Sequence, residues 1–167
     1  FEIIIVGSVG GGTGSTMMIP FGVLARKMCG DIPVRKRAIV VLPSAFSPGR
    51  PSAELELRGA AALRELARAM MPPEGYTSHL TFLPGHREYE SVPFRRPFDG
   101  IYFIDGVRDN QPINADPKYG VFPAASAWIR QILDEQSGAW FTNFVATNRA
   151  GAQSNDPERL AAGVFGV

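Results

Sequence analysis

A dense run of glycines and hydroxyl residues, Gly10-Gly11-Gly12-Thr13-Gly14-Ser15, lies between two apolar segments near the start of the chain. The segment before it, Ile3-Ile4-Ile5-Val6, predicts a buried strand, and residues 14–28 after it predict a helix with one apolar face. Glycines let the main chain approach a ligand closely, and the first amides of a helix attract negative charge. The pattern therefore predicts an anion site, of the kind that commonly holds phosphate.

The same glycines are also compatible with sites of a different kind, or with none. Glycine clusters form tight turns without a ligand, and the Thr13 and Ser15 hydroxyls suit helix N-caps as well as phosphate contacts. The run is not a P-loop, because no lysine follows its last glycine. It fits a dinucleotide fingerprint poorly, because Ser15 replaces the third glycine and no acidic residue ends the next strand. A nicotinamide- or flavin-dependent oxidoreductase is therefore the weaker interpretation.

The glycine run resembles the GGGTG[ST] phosphate loop of the tubulin/FtsZ family of GTPases. The order of elements after the run is also similar to that family: a helix, a strand over 37–42, a loop and a second helix over 53–70. The resemblance covers about residues 1–148 and is closer to divergent bacterial tubulin-like proteins than to tubulin or FtsZ. It implies an α/β fold, a three-layer Rossmann-like parallel sheet with helices on both faces, as part of a tubulin-type GTPase domain.

The resemblance also implies a nucleotide pocket for GTP with Mg²⁺, in which residues 10–15 contact the terminal phosphate. The loop and helix start after the second strand contact the ribose and guanine in this family. The residues at this place are Arg50, Glu54 and Arg58, with Glu54 as an acceptor for a ribose hydroxyl. A solvated helix face accounts for the same three residues without a ligand.

Two further residues are implied to contact the base. Asn110 follows a strand over 100–105, where the family supplies an Asn to the guanine edge, and its neighbours Asp109 and Asn114 could make the same contact. Tyr119 stands where the family stacks an aromatic ring. A turn residue and a packed helix-entrance aromatic are the alternatives. Pro123 occupies the place of a second guanine-contacting Asn, so selectivity for guanine stays open.

Residues 121–148 predict one long helix, which the resemblance identifies as the central helix of the family; two helices broken at 137–138 are the alternative. Residues 149–167 then begin a following segment. Asp156 and Glu158 lie where family members place acids that orient water against the nucleotide of the next subunit. The family's N-x-D-x-x-D pattern is not reproduced, and the capped start of another helix accounts for the same residues.

Composition narrows the remaining possibilities. The net charge of +1 gives no reason to expect a nucleic-acid partner, and the single cysteine, Cys29, favours a cytoplasmic protein without an internal disulfide. No apolar run reaches the ~18 residues that span a bilayer. The abrupt apolar ends at Phe1 and Val167 predict a piece of a longer protein. Residues 71–98 look like an insertion and a place for partner contacts, and the spacing of His79 and His86 fits no recurring metal site.

The resemblance thus implies GTP binding and GTP hydrolysis by a cytoskeletal protein that associates head to tail into filaments. A non-catalytic scaffold that binds nucleotide, or none, is the alternative from a different class. The phosphate loop can act only if the glycine run faces an open cleft.

Overall fold

In a computed structural model, the structure describes residues 1–46, 52–82, 90–108, 111–112 and 118–134. The elements in chain order are β1 (Glu2–Ser8), α1 (Gly12–Cys29), β2 (Arg35–Val41), a 3-10 turn (Pro43–Ala45), α2 (Ala53–Met70), β3 (Ser78–Phe82), β4 (Glu90–Phe94), β5 (Gly100–Ile104), β6 (Val107–Arg108), β7 (Gln111–Pro112) and α3 (Val121–Leu133).

The central sheet has three parallel strands in the order β1-β2-β5. Ile5 lies opposite Ala38, and Val40 lies opposite Phe103. β2 is the middle strand and is buried from Lys36 to its end, because an apolar strand can be covered on both faces. The predicted α/β class and the parallel sheet are confirmed.

The two faces of β2 contact different helices. Ala38 and Val40 pack with residues of α1 and α2 in one apolar cluster. Ile39 and Val41 pack with Val121, Ala125 and Ile132 of α3 in another. The ring of Tyr102 in β5 also stacks on Trp128 of α3, with 5.7 Å between the ring centroids. The alternation of side chains along one strand therefore determines which helix covers which face.

The helix boundaries depend on local chemistry. α1 begins at Gly12, two residues before the predicted start, contains Pro20, and is followed by Gly30, whose φ of 55° suits glycine. α2 has the predicted bounds, and the Ser52 hydroxyl caps it by accepting from the Leu55 amide at 3.3 Å. Among the described residues, no helix combines the length and apolarity needed to cross a membrane.

α3 begins at Val121, as predicted, and ends at Leu133. The next residue, Asp134, has an extended backbone with ψ of 124°. Residues 135–148 lie outside the described residues, so a helix over that stretch stays a prediction.

The segment 71–98 contains an antiparallel hairpin of β3 and β4. The predicted strand over 80–83 is observed slightly earlier, at Ser78–Phe82. Lys27 of α1 connects the hairpin to the main body: it pairs with Glu90 and lies 5.1 Å from the centroid of the Phe82 ring. The hairpin is therefore held beside the C-terminal half of α1.

Candidate functional site

The three parallel strands end side by side, and their ends are hydrogen-bonded to one another. The Val9 amide donates to the Val41 carbonyl at 3.1 Å, and the Leu42 amide donates to the Ile104 carbonyl at 2.9 Å. Ligands of open α/β sheets bind at this carboxyl edge. The glycine run follows β1 here, and α1 begins here.

Gly11 and Gly12 lie at the surface of this edge. A Cβ atom added to either glycine would meet no other atom within 4 Å. Gly11 has φ of −91° and ψ of 157°, an extended conformation that any residue adopts. Folding alone therefore does not require glycine at these two positions, and the space beside their main chain is open to a ligand.

The start of α1 leaves its first amides available. The first helical hydrogen bond runs from the Ser15 amide to the Gly11 carbonyl at 3.1 Å. No side chain caps this end, and the amides of Gly12, Thr13 and Gly14 have no acceptor within the described parts of the chain. Free amides and the positive end of the helix dipole together are suited to an anion.

The alternative that Thr13 and Ser15 act as N-caps is wrong for this helix. Gly11 is the N-cap residue, because the helix begins earlier than predicted. The Ser15 hydroxyl instead donates to the Gly12 carbonyl at 2.9 Å, and the Thr16 hydroxyl donates to the same carbonyl at 2.9 Å. Thr13 is exposed at the first turn, where its hydroxyl can reach an anion.

The other two glycines of the run have structural roles of their own. A Cβ atom at Gly14 would lie 2.2 Å from the Ser8 carbonyl oxygen, so only glycine lets α1 pack this closely on β1. The buried Gly10 donates its amide to the Ser8 hydroxyl at 3.1 Å. The geometry therefore favours Gly11, Gly12 and Thr13 as phosphate contacts, while phosphate binding by all of residues 10–15 stays a prediction.

The first turn of α2 adjoins the glycine run. Leu55 is the nearest side chain to the position that a Cβ atom at Gly10 would take, at 3.4 Å. Glu54 and Arg58 form an ion pair one helical turn apart, with 71% and 54% of their side chains exposed. Both remain accessible to a ligand at this edge, as their predicted ribose and guanine contacts require.

Ser44 and Asp105 form a polar pair at the same edge, and neither residue was among the predicted site residues. The Ser44 hydroxyl donates to the Asp105 carboxylate, and it accepts from the Gly106 amide at 3.4 Å. Ser44 lies just beyond the end of β2 and Asp105 directly follows β5, so polar residues at neighbouring strand ends were the available signal. The pair ties the two loops together.

Tyr119 precedes α3 and is 65% exposed. The Lys118 amine lies 5.3 Å from the centroid of its ring. Val121, two residues later, packs with Ala45 and Ile104, so Tyr119 lies at the β5 side of the edge. Strand spacing puts β5 about 10 Å from β1, so a ligand that contacts both Tyr119 and the glycine run must be elongated.

Four predicted site residues lie outside the described residues: Arg50, Asn110, Asp156 and Glu158. Their roles stay predictions.

Comparison with known families identifies the family to which the chain belongs. A family model described as "Tubulin like" matches residues 1–119. The chain belongs to the tubulin-like family. The match includes the whole carboxyl edge as far as Tyr119. No curated protein and no solved structure matches the chain significantly.

This tubulin-like chain offers donors rather than bases at its glycine run. The first turn of α1 contains no acidic residue, and the described residues bring together no group of three His, Cys, Asp or Glu side chains that could hold a metal ion. The acidic side chains described at this edge are Glu54, which pairs with Arg58, and Asp105, which accepts from Ser44. The arrangement therefore suits binding and charge stabilisation of a phosphate more than proton transfer by the loop itself.

Proposed function

We propose that this chain binds GTP, together with Mg²⁺, at the carboxyl edge of the sheet, with the main-chain amides of Gly12 and Thr13 toward the terminal phosphate. The observation that supports the proposal most is the pair of exposed glycines that folding does not require. Their open space and the uncapped start of α1 fit a phosphate group. The domain is then a three-layer, tubulin-type nucleotide domain of a cytoplasmic protein.

The remaining contacts extend along the edge. Glu54 accepts from a ribose hydroxyl, Arg50 and Arg58 lie beside the ribose and guanine, and Asn110 and Tyr119 contact the base. GTP is an elongated ligand, and it can span the separation between the β1 and β5 ends of the edge, which is about 10 Å by strand spacing.

GTP hydrolysis at such a site depends on positioning and electrostatic stabilisation. The loop has no lysine, so amides and the helix dipole supply its positive potential. Mg²⁺, when bound with the nucleotide, neutralises phosphate charge. Asp156 and Glu158 of one copy orient water at the nucleotide of the next copy. This arrangement requires head-to-tail association, which produces open filaments.

A non-catalytic nucleotide-binding scaffold is the second candidate. Pro123 in place of the family's second base-contacting Asn, and the missing N-x-D-x-x-D pattern, favour it. Phosphate release by the assembled full-length protein distinguishes the two. Turnover that is lost in Asp156→Ala supports the hydrolase, and the absence of turnover in the wild type supports the scaffold.

The binding site itself is tested by Gly12→Asp, with Gly12→Asn as the matched uncharged control. A carboxylate beside the phosphate repels it, so we expect the affinity for a fluorescent GTP analogue to fall by about 100-fold. Gly12→Asn fills the same space without the charge and should lose less than about 10-fold. Neither variant should unfold at a lower temperature than the wild type, because the position is open.

Equal affinities of Gly12→Asp and wild type would contradict the phosphate site. Variants at Gly14 do not test it, because any side chain there meets the main chain of Ser8 and damages the fold first.

A further inference from the structure

A second concave surface lies at the opposite, amino edge of the sheet. It is a groove of about 470 Å³ between the C-terminal half of α1 and the segment that leads from β4 into β5. This volume is within the range of ligand pockets, about 300–1,000 Å³. Its apolar walls include Val23, Val92, Phe94 and Pro97. We call this surface the basic groove, because its remaining lining is largely cationic.

Three arginines of the basic groove have no acidic partner among the described residues. Arg26, Arg95 and Arg96 are exposed, and none of them pairs with a carboxylate within the described ranges. Arg95 makes only a long hydrogen bond to the Pro73 carbonyl, at 3.5 Å. Lys27, which also lines the groove, differs because it is paired with Glu90. Within the part of the chain that the structure describes, no ion pair compensates the positive charge of these three arginines.

Lys36 adds a buried cation at the base of the groove. The residue is only 2% exposed, and its amine donates to the Pro97 carbonyl at 3.0 Å. Burial lowers the pKa of Lys36, with Arg26 adding to the lowering and Asp99 opposing it. Asp99 is itself bonded to the Lys36 amide at 2.8 Å. An ammonium has three donors, so an anion in the groove could accept a further hydrogen bond from Lys36 and would favour its charged form.

Arg96 is held in a conformation that is unusual for its type. Its φ of 50° is the only positive φ of a non-glycine residue in the described part of the chain. Its amide donates to the Ala69 carbonyl of α2 at 3.2 Å, which holds the turn in place. Backbone strain of this kind persists mostly where the side chain has a use. Here it places a guanidinium on the groove.

We propose that the basic groove binds an acidic peptide segment of a partner protein. Guanidinium groups fit carboxylates in paired hydrogen bonds, which accounts for Arg26, Arg95 and Arg96. The apolar walls accommodate the side chains that lie between the acids of such a segment. A nucleic-acid duplex would contact the cations through its phosphates but leave the apolar walls without a matching surface.

The test measures fluorescence anisotropy of a labelled peptide of about ten residues that alternates glutamate with leucine and glycine, with a glutamine-for-glutamate peptide as the uncharged match. The full chain is compared with the double variant Arg26→Gln/Arg95→Gln. The control double variant, Arg64→Gln/Arg68→Gln, removes the same charge from the exposed side of α2. We expect a loss of affinity of about 10-fold or more in the groove variant and less than about 2-fold in the control.

Equal losses in the two double variants, or equal binding of the glutamate and glutamine peptides, would overturn the proposal. Tighter binding of a single-stranded oligonucleotide of equal charge would also overturn it, in favour of a nucleic-acid surface.

Arg96→Gly separates binding from folding. Glycine adopts a positive φ without strain, so the melting temperature should stay equal or rise by up to ~4 °C. Peptide affinity should nevertheless fall about 5-fold, because one guanidinium is lost. Unchanged affinity in this variant would refute the role given to Arg96.

Discussion

The two edges of the central sheet present hydrogen-bond donors and positive potential in different ways. At the carboxyl edge, the glycine run exposes main-chain amides and has no lysine or arginine of its own. At the amino edge, the basic groove has guanidinium groups and a buried ammonium. A phosphate that must be held closely suits the first surface, and a longer partner with several carboxylates suits the second.

The two kinds of site differ in how far they can be recognised in the amino-acid sequence. A site built from main-chain amides needs positions without bulky side chains. It can lie on one short segment, which the sequence shows as a run of glycines. A side-chain site collects residues from separate elements, here α1, β2 and the connection between β4 and β5. α1 contributes to both surfaces, because it begins at one edge and ends at the other.

The largest expected effect distinguishes Gly14, which packs against the main chain of β1, from Gly12, which lies in open space. Gly14→Ala places a Cβ against the Ser8 main chain, so we expect the free energy of unfolding to fall by about 3 kcal/mol or more. Gly12→Ala meets no atom and should stay within about 1 kcal/mol of the wild type. Urea denaturation measures both. Equal stabilities would show that the two glycines do not have these separate roles.

A smaller effect tests how firmly the carboxyl edge is held. Ser44→Ala removes the hydroxyl that bonds Asp105 and the Gly106 amide, so we expect a loss of about 1 kcal/mol of stability. The control is Ser126→Ala on the exposed side of α3, which should not destabilise the protein. Matching results for the two variants would mean that the Ser44 pair does not stabilise the edge.

The smallest effect concerns pH at the amino edge. Burial lowers the pKa of Lys36 in the folded protein from its ordinary 10.5. The unfolded chain therefore binds more protons between the two pKa values, and stability rises with pH across that interval. Lys36→Met removes this dependence. The stability of the wild type relative to Lys36→Met should increase as the pH rises from neutral toward 10.5, as measured by urea denaturation at each pH.

If the difference in stability between the wild type and Lys36→Met stays constant over that pH range, burial does not disfavour the charged form of Lys36. The carboxyl edge offers a contrast, because the amides of its glycine run have no pKa in this range.

Much of the α/β frame could be predicted from the sequence because it depends on local signals. The apolar run before the glycines, the helical periodicity of α2 and the Ser52 cap each predict an element that the structure contains. The early start of α1 was missed, since Gly12 and Thr13 are weak helix formers and tertiary packing on β1 decides their conformation.

The two sites also differ in how well the sequence predicts them, because only one of them depends on local signals. Gly11 and Gly12 belong to a contiguous motif, whereas the Ser44–Asp105 pair exists only because β2 and β5 are neighbours in the sheet. Arg26, Lys36 and Arg96 come from separate elements and converge only through folding. No spacing rule along a sequence reveals such a convergence.

Main-chain N–H groups, such as those at the uncapped start of α1, cannot be acetylated, phosphorylated or oxidised as side chains can. A change of residue type to anything but proline leaves them in place. Control over the proposed nucleotide at this loop would therefore have to act from outside it, by blocking the opening or by shifting the helix that presents the amides.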